Sequence, residues 1–169
     1  MAYTIRDFQN EDFDALWRID QTCFPAGISY SRAELRFYMR RPTAFTLVAV
    51  QSGSEAGKTG NRQPEALAAS DIDIAGFIVA ECSSRGRGHI ITIDVVSPAR
   101  RFGVGSLLLE AAEHRLRTEH CRIVELETAV DNISALSFYK RHGYSVIKTF
   151  PRYYSNGVDA LVLEKNLST

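Results

Sequence analysis

The residues best placed for chemistry fall into two clusters. The first is Arg100-Arg101-Phe102-Gly103-Val104-Gly105-Ser106, which follows the β-branched run Ile91 to Val96 and a break at Pro98. It leads directly into an apolar-periodic stretch that begins at Val104, so strand, tight loop and helix are predicted without a gap. At such a junction the first N–H groups of the helix lack carbonyl partners and the helix dipole adds partial positive charge, so the loop favours an anion. Gly103 and Gly105 let the backbone approach that anion closely. A diphosphate suits the description. A dinucleotide fingerprint needs three glycines and a P-loop needs Gly-Lys-Ser/Thr, and this loop has neither.

The second cluster lies in Arg122 to Ala129, whose alternation predicts a strand with Ile123, Glu125, Glu127 and Ala129 on one face and Val124, Leu126 and Thr128 on the other. Two carboxylates on one strand face are candidates for general-base work. His89 begins the strand that runs into the glycine loop, and an imidazole there can take a proton from an amine through a water.

These residues sit in a chain of 169 residues, the size of one domain with one substantial core. Twenty basic residues balance twenty acidic ones, so no global charge favours nucleic acid or a membrane surface. No run reaches the length of a spanning helix, and Met1 to Asp7 lacks the apolar core of a secretory signal. Cys23, Cys82 and Cys121 are odd in number and without metal-like spacing. Reduced thiols, a cytoplasmic location and no metal are the expectations.

Taken in order, Tyr3 to Arg6 is a short strand, and Asn10-Glu11-Asp12 opens a helix with Phe13, Leu16 and Trp17 on one face. Phe24-Pro25 ends that helix, and Ser31 with Glu34 forms a capping box for the next. Phe45 to Val50 and Ile74 to Ala80 are strands, separated by a Gly- and Ser-rich insertion over residues 51–71 that is expected to be flexible. Arg85 and Arg87 fall in a turn, where solvated charges are expected. The helix from Val104 is expected to bury Val104, Leu107, Leu108, Ala111, Ala112 and Leu116, with Glu110, Glu113, His114 and Arg117 outside the stripe. Asn132 caps a further helix through Tyr139, closed by His142-Gly143. Strands at Tyr144 to Thr149 and Ala160 to Lys165 flank Tyr153 to Gly157, where Asn156-Gly157 marks the turn. This alternation predicts an α/β chain with a mixed sheet and helices on both faces.

The spacing Arg100-x-x-Gly103-x-Gly105 resembles the pyrophosphate-binding motif of the GNAT family of N-acetyltransferases, and the order of elements resembles that family over essentially the whole chain. The segment Leu126 to Tyr144, with Glu127, Asn132, Tyr139 and Gly143, is similar to the branch that acetylates protein N-termini, typified by the ribosomal-protein alanine acetyltransferases. Arg152 to Ala160 and the Phe24-Pro25 loop are similar to that branch as well. There are departures. Thr128-Ala129 stands where the branch has Val-Arg, Ala26-Gly27-Ile28 replaces a bulky aromatic after Phe-Pro, and Tyr144 replaces Phe.

The resemblance implies a mostly antiparallel GNAT acyl-CoA N-acyltransferase sheet, acetyl-CoA as co-substrate and direct transfer in a ternary complex. It assigns acetyl-CoA binding to Val95, Val96, Arg100, Arg101, Phe102, Gly103, Val104, Gly105, Ser106 and Asn132, with Val95 and Val96 offering N–H donors to the developing oxyanion. Glu127 takes the position of the general base and Tyr139 that of the acid, with Glu125 and His89 as competing bases. Phe24, Pro25, Tyr30, Tyr153 and Tyr154 are candidates to line the acceptor slot. The implied acceptor is the α-amino group of a protein, a ribosomal one by analogy with the branch; the alternatives are a small amine such as a polyamine or antibiotic, or a CoA-binding regulatory module without turnover.

Overall fold

The computed structural model describes residues 2–52 and 74–168. Among them are the strands β1 (Ala2–Asp7), β2 (Ala44–Ser52), β3 (Ile74–Cys82), β4 (Arg87–Val95), β5 (Ile123–Ala129), β6 (Ser145–Phe150) and β7 (Ala160–Asn166). The helices are α1 (Phe13–Cys23), α2 (Arg32–Met39), α3 (Val104–Thr118) and α4 (Ile133–Arg141). The strands form one sheet in the order β1-β2-β3-β4-β5-β7-β6. Only the β4–β5 pair is parallel among the described strands; its neighbours pair antiparallel. Gln51 and Ser52, the start of the expected insertion, are the last residues of β2, and the rest of 51–71 lies outside the described residues.

Local signals set the element ends. The Gln9 N–H donates to the Asp12 carboxylate at 2.8 Å, and Arg6 holds the same carboxylate at 2.7 and 2.9 Å, which aims the chain into α1. Ser31 and Glu34 form the expected capping box at α2. Apolar faces then bury on both sides of the sheet. On one side Leu108, Leu109, Ala112 and Leu116 of α3 pack with Ile78, Val124, Leu126 and Leu163. On the other, Phe13, Leu16 and Ile19 of α1 and Leu35 of α2 pack on Val48, Phe77 and Val79.

Four expectations are corrected by this packing. Leu109 is fully buried in α3, while Leu107 is partly exposed, because the helix turns its stripe towards β3 by one residue. Glu113 is buried rather than outside the stripe: it accepts from the Tyr144 hydroxyl at 2.9 Å and from Lys165 Nζ at 2.9 and 2.7 Å. Arg87 begins β4 and is ion-paired with Glu125 and Glu164 across the sheet. Cys82 and Cys121 are bonded to each other, with Cα atoms 6.5 Å apart, and Cys23 is free. The topology brings the end of β3 beside the α3–β5 connection, a proximity that a sequence separation of 39 does not reveal.

Two features of β4 shape the centre of the sheet. Its parallel pairing with β5 runs from Arg87 opposite Ile123 to Ile90 opposite Leu126 and stops there. Beyond that point β4 stays with β3 as far as Val95, and β5 stays with β7 as far as Ala129, so the two strands part. Val79 faces Thr92 while Ala80 faces Ile90, which leaves Ile91 as an unpaired bulge where the parting begins. Bulges of this kind twist a strand and re-aim its side chains.

Candidate active site

The glycine loop closes against the end of β4. Gly103 is the N-cap of α3 at φ +79, and Arg101 is also left-handed at φ +72. The first helical bond runs from the Leu107 N–H to the Gly103 carbonyl at 3.0 Å, so the N–H groups of Val104, Gly105 and Ser106 are those left without helical carbonyls. A Cβ on Gly103 would meet no described atom within 4 Å, so there is room over the loop. One on Gly105 would lie 3.3 Å from the Phe138 ring, so that glycine sets how closely α3 approaches α4. Ser106 Oγ lies 3.0 Å from His142 Nε2, while His142 Nδ1 lies 2.8 Å from the Phe138 carbonyl; this histidine ties the two helices. Val104 is buried and Phe102 exposed, so Val104 has only its backbone to offer. Arg100 is turned back to the strand: its Nε donates to the Val95 carbonyl at 2.9 Å, and Cys23 Sγ donates to the same oxygen at 3.5 Å.

The gap between β4 and β5 opens beside this loop. The Val96 N–H donates to the Ala75 carbonyl at 2.9 Å, so it is occupied and the expectation of a free donor there is corrected. Val95, one residue earlier, faces the other way, because backbone groups alternate sides along an antiparallel ladder. Its N–H is therefore directed at the gap. Across the gap Asn132 caps α4, its Oδ1 accepting from the Ala135 N–H at 3.2 Å, which leaves the amide NH₂ as the free end.

On the open face of the sheet Glu127 Oε2 lies 2.6 Å from His89 Nε2. His89 Nδ1 in turn faces Glu81 Oε1 at 3.7 Å, and Arg41 holds that oxygen at 3.1 Å. Burial alone would lower the His89 pKa, but the hydrogen bond and charge of Glu127, with the charge of Glu81, outweigh it and raise the imidazole above its usual value. Glu125, the rival carboxylate, is bonded to Arg87, which also reaches Glu164 at 2.9 Å. Cross-strand partners thus separate the two glutamates that the alternation left equivalent: a guanidinium engages Glu125 and an imidazole Glu127.

Tyr139 is buried, its ring edge-on to Phe138 at 5.2 Å and to Tyr144 at 5.6 Å. Among the described residues its hydroxyl has no hydrogen-bond partner. Burial first, then the nearby charge of Asp94, push this phenol above its ordinary range. Asp94 itself was not singled out from the sequence, although a lone aspartate in a β-branched run is a visible anomaly. It is fully buried, accepts from Thr92 Oγ1 at 3.1 Å, and has its other oxygen unpartnered among the described residues.

The tyrosines expected at the acceptor slot are brought together. Tyr153 and Tyr154 lie edge-on at 5.0 Å, within the field of Glu127, and Tyr30 lies within the field of both. Tyr30 is fixed at four points. Its N–H donates to Asp20 Oδ2 at 2.8 Å, its carbonyl accepts from Trp17 Nε1 at 3.2 Å and Gln21 Nε2 at 2.7 Å, and its hydroxyl donates to the Ile91 carbonyl at the bulge at 3.4 Å. Phe24 and Pro25 shape the loop through their backbone: the Phe24 N–H closes α1 on the Asp20 carbonyl, and the Pro25 carbonyl accepts from Ile28 and Ser29. The α1–α2 and β6–β7 loops meet where Ser155 Oγ donates to the Gly27 carbonyl at 3.0 Å. A Cβ on Gly27, at φ +89, would lie 2.9 Å from Asn156 Cβ. Gly27 is thus what lets the two loops touch.

A helix N-terminus open to an anion, beside two parting strands with an N–H donor, a carboxylate and a buried phenol near by, suits the class of acyl-CoA-dependent acyltransferases. More narrowly, the chain belongs to the acetyltransferase (GNAT) family, whose sequence profile matches residues 13–144 and whose members use acetyl-CoA. It is an N-acetyltransferase of that type. An uncharacterised N-acetyltransferase of Methanocaldococcus jannaschii is 29% identical over 162 residues, covering 95% of this chain and 90% of that protein. The N-alpha-acetyltransferase 30 of Schizosaccharomyces pombe is 29% identical over 134 residues, 78% of this chain and 77% of that protein. Among solved structures, the NatC complex bound to Gag peptide and CoA superposes with a TM-score of 0.77 at 26% identity, covering 99% of this chain and 100% of that one.

Proposed function

We propose that this protein transfers the acetyl group of acetyl-CoA to the α-amino group at the N-terminus of a protein, with Glu127 as the base and Tyr139 as the acid. The observation that carries the reading is the position of Glu127, bonded to His89 at 2.6 Å just past the point where β4 and β5 part, with its charge reaching Tyr153 and Tyr154. The names of similar proteins, N-alpha-acetyltransferase 30 among them, support the choice of acceptor.

The residues fit acetyl-CoA: the space over Gly103 is clear, three N–H groups head α3, and the Val95 N–H opens on the gap. Val104, Gly105 and Ser106 would hold the diphosphate by backbone, Arg100 and Arg101 would add charge, and the Asn132 amide would line the gap. Acetyl-CoA supplies a thioester, an acyl donor with a good leaving group. Glu127 removes a proton from the acceptor nitrogen, whose lone pair must be free to attack. The Val95 N–H receives the charge that develops on the carbonyl oxygen. Tyr139, kept protonated by burial, gives its proton to the departing sulfur.

Tyr30, Tyr153 and Tyr154 surround an acceptor that carries one positive charge. A polyamine would call for several free carboxylates, yet Glu125 and Glu164 are held by Arg87 and Glu81 by Arg41, which favours the single ammonium of a chain end. The test is acetyl-CoA consumption with short peptides bearing free N-termini, the same peptides blocked, and small amines. Consumption confined to free N-termini is expected; consumption confined to small amines would overturn the acceptor. In the same assay Glu127→Gln is expected to lower turnover by roughly 10²-fold, with a loss that shrinks as pH rises and the amine deprotonates unaided.

A further inference from the structure

The row of facing charged groups does not end at His89. Glu81 and His89 are directly opposed on β3 and β4, and the Glu81 side chain is only 12% exposed. Its Oε1 carries both the Arg41 contact at 3.1 Å and the approach to His89 Nδ1 at 3.7 Å. Its Oε2 is buried without a partner among the described residues. A carboxylate serving only Arg41 would gain little from such depth, since ion pairs with an exposed partner contribute little and a buried unpaired oxygen is costly. The depth is explained if the carboxylate acts on the ring beside it.

We propose that Glu81 is a positioning residue of the acetyl-transfer site: its carboxylate, 3.7 Å from Nδ1, holds the His89 imidazolium between two carboxylates, so that Nε2–H donates to Glu127 Oε2 and keeps that group at the gap, with Oε1 left to take the proton of the acceptor nitrogen. This rests on the reading of Glu127 as base. The ring aims the base and does not itself take the proton. The N–H proton passes from nitrogen to Glu127 and from there to solvent, and Tyr139 regains from solvent the one it gave to sulfur. Neutral amine and thioester thus become amide and thiol with no net proton, and an acceptor arriving as ammonium releases one more.

The charged groups facing His89 are Glu81 and behind it Arg41, Arg87 on β4, Glu125 and Glu127 on β5, and Glu164 on β7 through Arg87. Glu81 favours the imidazolium and Arg41 offsets Glu81, so their removal has opposite signs. The experiment follows the His89 ring by NMR titration, with His89→Gln used to assign it among four histidines. Glu81→Gln is expected to lower the His89 midpoint and Arg41→Gln to raise it, each by about half a pH unit or more. The basic limb of kcat/KM, where the imidazolium loses its proton, should move with each. Arg41 is partly exposed, so its variant keeps the test alive if Glu81→Gln fails to fold. A midpoint unmoved in the folded variants overturns the proposal, as does a moving midpoint with a stationary basic limb. A slow Glu127→Gln enzyme alongside either result leaves the base reading standing; a fully active one removes that reading and this one together.

Discussion

Tyr139 shows how one residue is prepared by its surroundings. Its ring is packed between Phe138 and Tyr144, and burial with the charge of Asp94 keeps the phenol protonated well beyond its ordinary range. Such a hydroxyl is a poor acid in bulk water. In the proposed transfer it would stand beside a forming thiolate, and the same burial that raises its pKa would raise the cost of that thiolate left unpaired. Tyr139→Phe keeps the ring and its packing, so acetyl-CoA affinity and melting temperature should stay near wild type while turnover falls by roughly 10²-fold. A variant with wild-type kcat would mean that the sulfur leaves without this proton. The role was readable by resemblance at the level of residue type. The pairing that separates Glu127 from Glu125 was not, because strand alternation puts both on one face and only the cross-strand neighbours, His89 for one and Arg87 for the other, tell them apart.

At the scale of elements, the glycine loop and α3 form a unit whose backbone does the binding. Gly103→Glu would place a carboxylate where an anion is expected and force a side chain into a left-handed conformation. Acetyl-CoA affinity, measured by calorimetry, should fall below detection while the far-UV spectrum persists; unaltered affinity would remove the loop from the site. The strand–loop–helix junction was legible because Pro98, the glycines and the apolar period all mark it. Less legible was what α3 meets. Glu113 reads as a solvated position from period alone, yet it accepts from Tyr144 and Lys165 and pairs with Arg117 at 3.4 Å, tying α3 to β7 and to the end of α4. Glu113→Ala would leave those donors without their acceptor and is expected to cost about 3 kcal/mol in chemical denaturation, as for other broken buried ion pairs. Tyr144, where the family has phenylalanine, finds its reason here, since its hydroxyl is what reaches Glu113.

For the whole molecule, buried acids differ in how far they are matched. Glu113 meets cations, whereas Asp20 of α1 and Asp94 of β4 each keep one oxygen unpartnered among the described residues, with Asp94 in the field of Asp20. Burial is the main cause that raises Asp20 from 3.8 to about 6, against the opposing bonds from the Tyr30 N–H and Gln21. The folded protein therefore binds a proton at Asp20 more tightly than the unfolded chain does. Stability from this group is complete below the unfolded value and is lost as pH rises through about 6, so the decline falls between about 4 and 6. Asp20 also holds the backbone of Tyr30, so the same ionisation that strains the fold keeps the acceptor loop tied to α1. Asp20→Asn retains an acceptor for the Tyr30 N–H and cannot ionise. Its melting temperature should track wild type near pH 4 and exceed it by a margin that grows to about pH 6 and then levels off, while KM for a peptide acceptor stays close to wild type if the loop is still held. Melting curves that remain parallel across that range would show that the proton resides elsewhere, with Asp94 the remaining carboxyl in the same field.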